Sequence, residues 1–547
     1  MLKYAPYSII SLRLGRAICV AISTFLALSL WFQRQAHPAA NRAALSTSAP
    51  CPDVIPDADF TPLAIRCRIR TAQDRIRSAA RSQSSSPEEA VAEYKRRYRK
   101  DPPQGFRDWV QFALDHGSKI IDDFDQIHQD LEPYRTADAQ RVFRSLRAQD
   151  AEELPHTTRI TIQNGTMSTT TGYMYDEGLR TLVRPFLHKL PNGLLFLSTI
   201  DEPRILNSQE PAPATIQFRD RAGESIEDLV LTSCRQIPPR LAGRLDPVRN
   251  VCESAHPANL HAFVASPSTF SYTHSPMPML SFGRMAAFRD ILVPCPCYTW
   301  HPLAAEDPIP FAEKRRAVYW RGSTTGGRAT RFSWRSGHRQ RFVAFVQSLQ
   351  STAITLAASR FFGVGSERLD TRRIETFKNA FDVHVGEYKQ CDEDVCKDME
   401  RVMGPPDQEP EDTSSDYQYL FDLDGNSMST RFYRLLSRQS VVLKQTWFNE
   451  WHDDRLVPWA HYIPVTMGME ELPALISFLM NDPEGEVLSA AIAESGSARA
   501  REALREIDMS IYLYRLFLEM AELHGTNQTV STGHGPTRVN DTGRRPV

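Results

Sequence analysis

Neither sign of charge prevails. The 547 residues hold 64 Lys and Arg against 66 Asp and Glu, a net charge of −2, so no global field draws the chain toward nucleic acid. The basic stretch "KRRYRK" at 95–100 reads as a solvated helix face. There is no internal repeat, which sets solenoids and propellers aside. There is no Gly-Lys-Ser/Thr ending to any glycine-rich loop, so no P-loop. An EF-hand is absent too: the glycine after the Asp-x-Asp of "DLDGNSMS" comes two residues too early. Long apolar runs are scarce. The one at the N-terminus, Ala17 to Phe32, has 16 residues, which as a helix spans roughly 24 Å.

That run is preceded by Lys3, Arg13 and Arg16 and followed by Arg34. Short spans suit the thin membranes of the early secretory pathway, and the positive flank belongs on the cytosolic side. The reading is a type II signal anchor at 17–33 behind a cytosolic tail 1–16, with the rest lumenal; a cleaved signal peptide is the competing reading. Eight cysteines remain beyond Cys19, an even number that suits disulfides in an oxidising compartment but allows 105 pairings. "CDEDVC" at 391–396 can close a small local loop, whereas "CPC" at 295–297 matches neither a zinc knuckle nor a thioredoxin site. Asn164, Asn527 and Asn540 open acceptor sequons for N-glycosylation.

Next comes a polar stem, 34–85, whose arginine-rich 64–82 suits a helix. Residues 86–154 read as a helical region. Ser86 is a natural N-cap before Pro87, and "FRDWVQFALDHGSK" suits a second helix. From 155 the texture becomes strands and loops. "GLLFLSTI" at 193–200 reads as a buried parallel strand that stops in "DEPR". Ligands in open α/β sheets bind beyond strand carboxyl ends, which draws attention to Asp201. The interval 205–310 is proline-rich and irregular. Strand signals return at 317–320, 381–388, 440–445 and 461–465, and a helix over 500–523 closes the fold before a disordered tail, 525–547.

"YLFDLDGNSMSTRFYRLL" (419–436) parses as strand, polar loop and helix, and "SVVLKQ" adds the second strand of a βαβ unit. Such a loop offers backbone N–H groups and a helix start, capped by Ser429 or Thr430, to an anion. Arg431 adds a donor fork, and Ser427 and Ser429 add hydroxyls. We favour direct phosphate contact here over a metal bridged by Asp422 and Asp424, with Asp422 structural. "WRGSTTGGR" (320–328) is a second loop of this kind, carrying Arg321 and Ser323. Glu450 is placed to meet sugar or ribose hydroxyls. "HDD" at 452–454 reads as a solvated turn rather than a metal cluster. Trp459, His461 and Tyr462 read as packing.

"DLDGNSMSTRFYRLLSRQSVVLKQTWFNEW", "RLVPWAHYIPV", "WRGSTTGGR", "DEPR", "SFGRMAAFRDILVPCPCYTW" and "YKRRYRKDPPQGFRDWVQFA" together resemble glycosyltransferase family 90, the group of fungal capsule-associated proteins and animal protein O-glucosyltransferases, nearer the fungal branch. The resemblance implies an α/β, GT-B-like fold with two Rossmann-like halves facing a cleft, an acceptor half at 155–310 and a UDP-sugar half at 311–524. It implies inversion at the sugar without a required cofactor, Mn2+ not being favoured. Asp201 falls at the family's catalytic base. Arg321, Ser323, Asn426, Ser427, Met428, Ser429, Thr430 and Arg431 fall in its donor loops, with Met428 where small residues often stand. Tyr298, Thr299 and Trp300 fall at the cleft. The implied partners are a UDP-xylose or UDP-glucose donor, a mannose-containing glycan or glycoprotein acceptor, and the Golgi or ER membrane. A β-1,2-xylosyltransferase-like enzyme is the first reading. A protein O-glucosyl- or xylosyltransferase, or a catalytically silent glycan-binding relative, stands as alternative.

Overall fold

The computed structural model describes residues 50–523 apart from 53, 82, 147–153, 171–173, 211–215, 240–244, 301–302, 304–306 and 351–376. The expected anchor and tail, and with them Asn527 and Asn540, lie outside the described residues. Among the described residues no helix is long and apolar enough to cross a membrane. The chain divides into two compact units, 1–67 and 68–547. In the first, a disulfide joins Cys51 to Cys67. A helix, α1 (Pro62–Arg81), occupies the arginine-rich stretch.

The second unit begins with helices. In α2 (Pro87–Tyr98), Ser86 Oγ accepts from Glu89 N at 3.2 Å, and Pro87 with Glu88 and Glu89 fills the first turn, the cap that the sequence indicates. α3 (Phe106–Asp115), α4 (Asp125–Leu131) and α5 (Ala137–Leu146) follow. The first sheet contains β1 (Thr157–Gln163), β2 (Thr166–Thr169) and β3 (Gly193–Ser198), with α6 (Asp176–Val183) between the last two. Asn164 and Gly165 turn the β1–β2 hairpin at φ 51° and 73°, values that suit an Asn-Gly turn. A small two-stranded ladder, β4 (Arg219–Asp220) and β5 (Ser271–Tyr272), flanks α7 (Glu227–Cys234). β6 (Met279–Ser281) and β7 (Ile291–Leu292) complete the first sheet in the order β2-β1-β3-β6-β7. Only β3, β6 and β7 are parallel; the hairpin runs antiparallel.

The second sheet is parallel throughout. It is built from β8 (Arg315–Ser323), α8 (His338–Gln350), β9 (Phe381–Glu387), α9 (Glu393–Met403), β10 (Tyr417–Leu423), α10 (Phe432–Leu436), β11 (Val441–Gln445) and β12 (Ile463–Val465). The strand order is β12-β11-β10-β8-β9. The chain therefore moves outward in one direction from β8 and in the other from β10, which makes the gap between them the topological switch point.

Three helices end the described chain: α11 (Leu472–Asn481), α12 (Pro483–Ala503) and α13 (Glu506–Leu523). The single helix expected over 500–523 is thus two. The break at 504–505 is held by Asp508, whose carboxylate accepts from Arg505 N at 2.9 Å. α13 returns to the first helices, where Trp109 Nε1 donates to Ile511 O at 2.9 Å and Tyr94 Oη donates to Glu519 at 3.0 Å. One continuous core joins α2, α3, both sheets and α13. All eight cysteines outside the N-terminal segment are paired: Cys234 with Cys252, Cys295 with Cys297 and Cys391 with Cys396, besides the first pair. Cys391–Cys396 closes the local loop anticipated from sequence.

Candidate functional site

The two loops singled out in the sequence leave β8 and β10, the strands on either side of the switch point. β10 is buried along its whole length, so its side chains are committed before the loop starts. Asp422 Oδ1 accepts from Ser429 Oγ at 2.5 Å and Oδ2 from Lys444 Nζ at 3.1 Å. Asp424 Oδ2 lies 3.2 Å from His261 Nε2 and accepts from Trp447 N at 3.2 Å; burial pushes this carboxyl up to about 6. Both acids of the Asp-x-Asp are thereby engaged by the protein. Ser429 spends its hydroxyl on Asp422 and Thr430 is exposed, so neither caps α10 as expected; Arg431 occupies that position. Met428 is buried in the main core, an anchor for the loop rather than a lining residue.

Two arginines converge on these loops. Arg339, at the start of α8, donates to Asp424 O at 2.7 Å, Ser323 O at 3.0 Å, Thr325 Oγ1 at 2.8 Å and Leu423 O at 3.3 Å. It staples both loops together. Arg431 donates through Nη1 to Arg321 O, while its Nη2 is buried without a hydrogen-bond partner. Neither forms an ion pair among the described residues. Burial lowers the proton affinity of both; the Arg431 charge lowers Arg339 further, against the pull of Asp422 and Asp424, and Arg434 lowers Arg431 further, against Asp422. A buried guanidinium nitrogen without a partner beside a second cation suits an anion. Ser427 Oγ, also buried and unpartnered, faces Gly283 of the first half, where an added Cβ would come within 2.6 Å.

Arg321 departs from expectation. Its backbone carbonyl meets Arg431, but its guanidinium turns to Asp382 at 2.7 Å, Asp407 at 2.8 Å and Glu409 at 3.3 Å. Three carboxylates around Nη2 offset its charge, while Nε is buried without a hydrogen-bond partner. Ser323 stays with the loop, its Oγ 3.0 Å from Thr325 Oγ1.

Across from these loops, Asp201 stands three residues beyond β3, half-buried. Burial raises its carboxyl above the usual range, and hydrogen bonding from Asn426 opposes that rise. Glu202 beside it is buried, pushed up to about 8 by burial and by Asp201. Burial first, and the Asp201 charge second, raise the Tyr175 phenol, whose ring is 4.9 Å from that of Trp300, which is 50% exposed. The two rings together form an aromatic surface on which a sugar ring can stack. Tyr298 is buried instead. It stacks on Tyr433 at 3.9 Å and donates to Glu450 Oε2 at 3.1 Å, tying the cleft segment to the loop's supports. Thr299 Oγ1 closes its own turn on Pro296 O at 2.8 Å. Glu450 is buried, with burial raising its carboxyl and Lys444 at 3.6 Å drawing it down. It supports the loop from below.

The "HDD" stretch is neither a solvated turn nor a cluster on one ion. His452 Nδ1 meets Tyr433 Oη at 3.0 Å, Asp453 pairs with Arg249 at 2.8 Å, and Asp454 accepts from Gln126 N at 2.7 Å. Three neighbours point to three separate partners, each inside the fold. His461 and Tyr462 are buried, in keeping with packing. Sequence reasoning missed Arg339, Lys444, His261 and Tyr175. Arg339 had one available signal, its place in the first turn of the helix after the glycine-containing loop. The other three carry none, since their partners come from distant segments.

Residues 374–540 match the profile described as Glycosyl transferase family 90. Among curated proteins, Protein O-glucosyltransferase 1 of Homo sapiens is 31% identical over 120 residues, 22% of this chain and 30% of the relative. The O-glucosyltransferase rumi homolog of Aedes aegypti is 34% identical over 112 residues, 20% and 27% of the two chains. Protein O-glucosyltransferase 2 of Danio rerio is 31% identical over 118 residues, 21% and 23%. The matched stretch spans less than a third of each of these relatives.

Proposed function

The chain carries a glycosyl transferase family 90 domain, and from that premise we propose that it is an inverting, UDP-sugar-dependent glycosyltransferase with its two sheets as the halves of a GT-B-like cleft. The observation that carries this reading is the loop after β10, where Arg431 Nη2 and Ser427 Oγ are buried without partners and Ser427 faces Gly283 of the first half. An acceptor hydroxyl attacks C1 of an α-linked UDP-sugar. Asp201 takes the hydroxyl proton as general base. UDP leaves with its charge facing Arg431, Ser427 and the backbone N–H groups of the loop. The engagement of Asp422 and Asp424 by Lys444, Ser429, His261 and Trp447 N supports direct phosphate contact without a bridging metal. Four disulfides suit an oxidising lumen, in keeping with a Golgi or ER enzyme held by the 17–33 segment. The aromatic pair of Tyr175 and Trp300 favours a glycan acceptor; xylosyl transfer of the β-1,2 type is the reading that the resemblance to the fungal branch implies. The names of the relatives favour the second reading, O-glucosyl transfer to protein.

The test offers detergent-solubilised full chain UDP-xylose and UDP-glucose with a mannoside or a folded protein domain, with and without EDTA. Transfer that survives EDTA and falls by about 10²–10³ in Arg431→Met is expected. Activity lost to EDTA and restored by manganese would reverse the phosphate reading. UDP binding without transfer to either acceptor would favour the silent relative.

A further inference from the structure

A short segment of the first half, 261–268, runs along the loops after β8 and β10. Its Ala262 O and Ser266 O press on Gly327, where an added Cβ would come within 2.6 and 2.7 Å of them, and Ser266 O accepts from Arg328 N at 2.7 Å. Ser268 Oγ lies 3.2 Å from Asn426 Oδ1. At the head of the segment stands His261, which is fully buried. Its Nδ1 accepts from Phe263 N at 3.2 Å and so caps the turn Ala262–Ala265. That contact assigns the ring proton to Nε2. Nε2 then donates to Asp424 Oδ2 at 3.2 Å.

His338, the first residue of α8, completes the arrangement. Its ring stacks on that of His261 with centroids 3.9 Å apart. Its Nδ1 accepts from Ala262 N at 3.4 Å, and its Nε2 donates to Asp424 O at 2.8 Å. The two imidazoles therefore hold the side chain and the carbonyl of one residue. Burial keeps both below the usual histidine range, so each ring has one N–H to give. Asp424 stands directly before the turn 425–427, which Gly425 N closes by donating to Ser427 O at 3.1 Å, and that turn leads to Arg431. Trp447 N and Arg339 hold Asp424 from within the second half. His261 holds its carboxylate from the first.

We infer that His261 is a positioning residue for the loop after β10: through Asp424 it sets the turn that carries Ser427 and Arg431, so that the first half of the fold fixes where the donor's phosphates are held. The inference rests on the reading of this loop as the phosphate site. The ring stack and the cap serve folding alone. The Nε2 contact ends on the residue from which the loop departs, and a loop released there is free to carry its donors away from the phosphates.

The probe is UDP, its affinity for the full chain measured by calorimetry beside KM and kcat for UDP-xylose and UDP-glucose. An asparagine side chain ends where the imidazole Nδ1 stands, so His261→Asn keeps the cap and loses Asp424. It is expected to weaken UDP binding and raise the donor KM by about tenfold. His261→Gln, whose longer amide can reach the carboxylate, is expected to stay within about threefold of the parent. A merely structural role would lower the active fraction, and with it kcat, and leave KM and UDP affinity as they were. UDP affinity unchanged in His261→Asn, or weakened equally in both variants, overturns the inference. If His261→Asn does not fold, Asp424→Ala carries the test, and UDP affinity within about threefold of the parent in that variant overturns it alone. Arg431→Met separates the two levels: UDP binding unaffected there means that the reading of the loop itself has failed.

Discussion

At the scale of single residues, the site rests on buried charges that the fold itself pairs. Lys444 lies between Asp422 at 3.1 Å and Glu450 at 3.6 Å, and over the Phe432 ring at 3.8 Å. All are buried, so removing the one cation strands the Asp422 carboxylate in a low-dielectric interior. Lys444→Met is expected to cost about 3–5 kcal/mol in urea unfolding, and Lys444→Met with Asp422→Asn to recover part of that. A double variant no more stable than the single one would mean that Asp422 is not what Lys444 neutralises. The structural role of Asp422 was legible, because an arginine and hydroxyls follow it closely. The role of Lys444 was not. In "SVVLKQ" it is one polar residue in an apolar strand, and its partners come from β10 and from the turn after β11. Arg321 misled for a related reason. Its motif marks a loop at a strand end, but the carboxylates that claim its guanidinium are 61 to 88 residues away in the chain.

At the scale of elements, the strands of the second sheet were readable as apolar runs, and the Ser86 cap was readable because it is local. The two-helix ending was not, since the break depends on Asp508 reaching back to Arg505 N rather than on a proline or glycine. The hairpin of β1 and β2 had its signal in "NG" flanked by alternating residues. What no element pattern carries is the strand order that sets β8 beside β10 and brings their loops together. The loop after β10 also leans on the first half at Gly283, where a Cβ would press on Ser427 Oγ at 2.6 Å. Gly283→Ala is therefore expected to raise the donor KM by about tenfold while the melting temperature changes little. A fall in kcat with KM unchanged would place the effect on the base rather than on the donor loop.

Over the whole molecule, buried titratable groups pull stability in opposite directions as pH changes. Burial pushes His128, His261, His452 and His461 down to about 3. Below their unfolded value of 6.5 the unfolded chain binds protons that the folded one refuses, so these groups destabilise as pH falls. Burial pushes Glu202 and Glu450 up to about 8, Asp454 to about 7 and Asp424 to about 6. Above their unfolded values near 4 the folded chain keeps protons that the unfolded one has released, so these groups destabilise as pH rises. The two sets oppose each other between about pH 4.5 and 6.5 and act alone on either side. Urea unfolding across pH is expected to give a plateau there, with losses below and above it of up to about 1.4 kcal/mol per group per pH unit. Stability climbing steadily from pH 6.5 to 8 would contradict this balance.

The return of α13 to the first helices has a consequence for how the protein is made. Trp109, Tyr94 and Lys100 find their partners in Ile511, Glu519 and Glu522, some four hundred residues later. As the chain emerges from the ribosome, the helical region stands with an apolar face uncovered until the last described helix is synthesised. The disulfides do not wait, for their sequence separations are only 16, 18, 2 and 5 residues. The Asn164 hairpin is equally local and is exposed at its tip. Oxidation and hairpin formation can thus run ahead of closure, leaving a long interval in which the nascent chain depends on chaperones and in which truncation anywhere before α13 leaves a chain without a finished core.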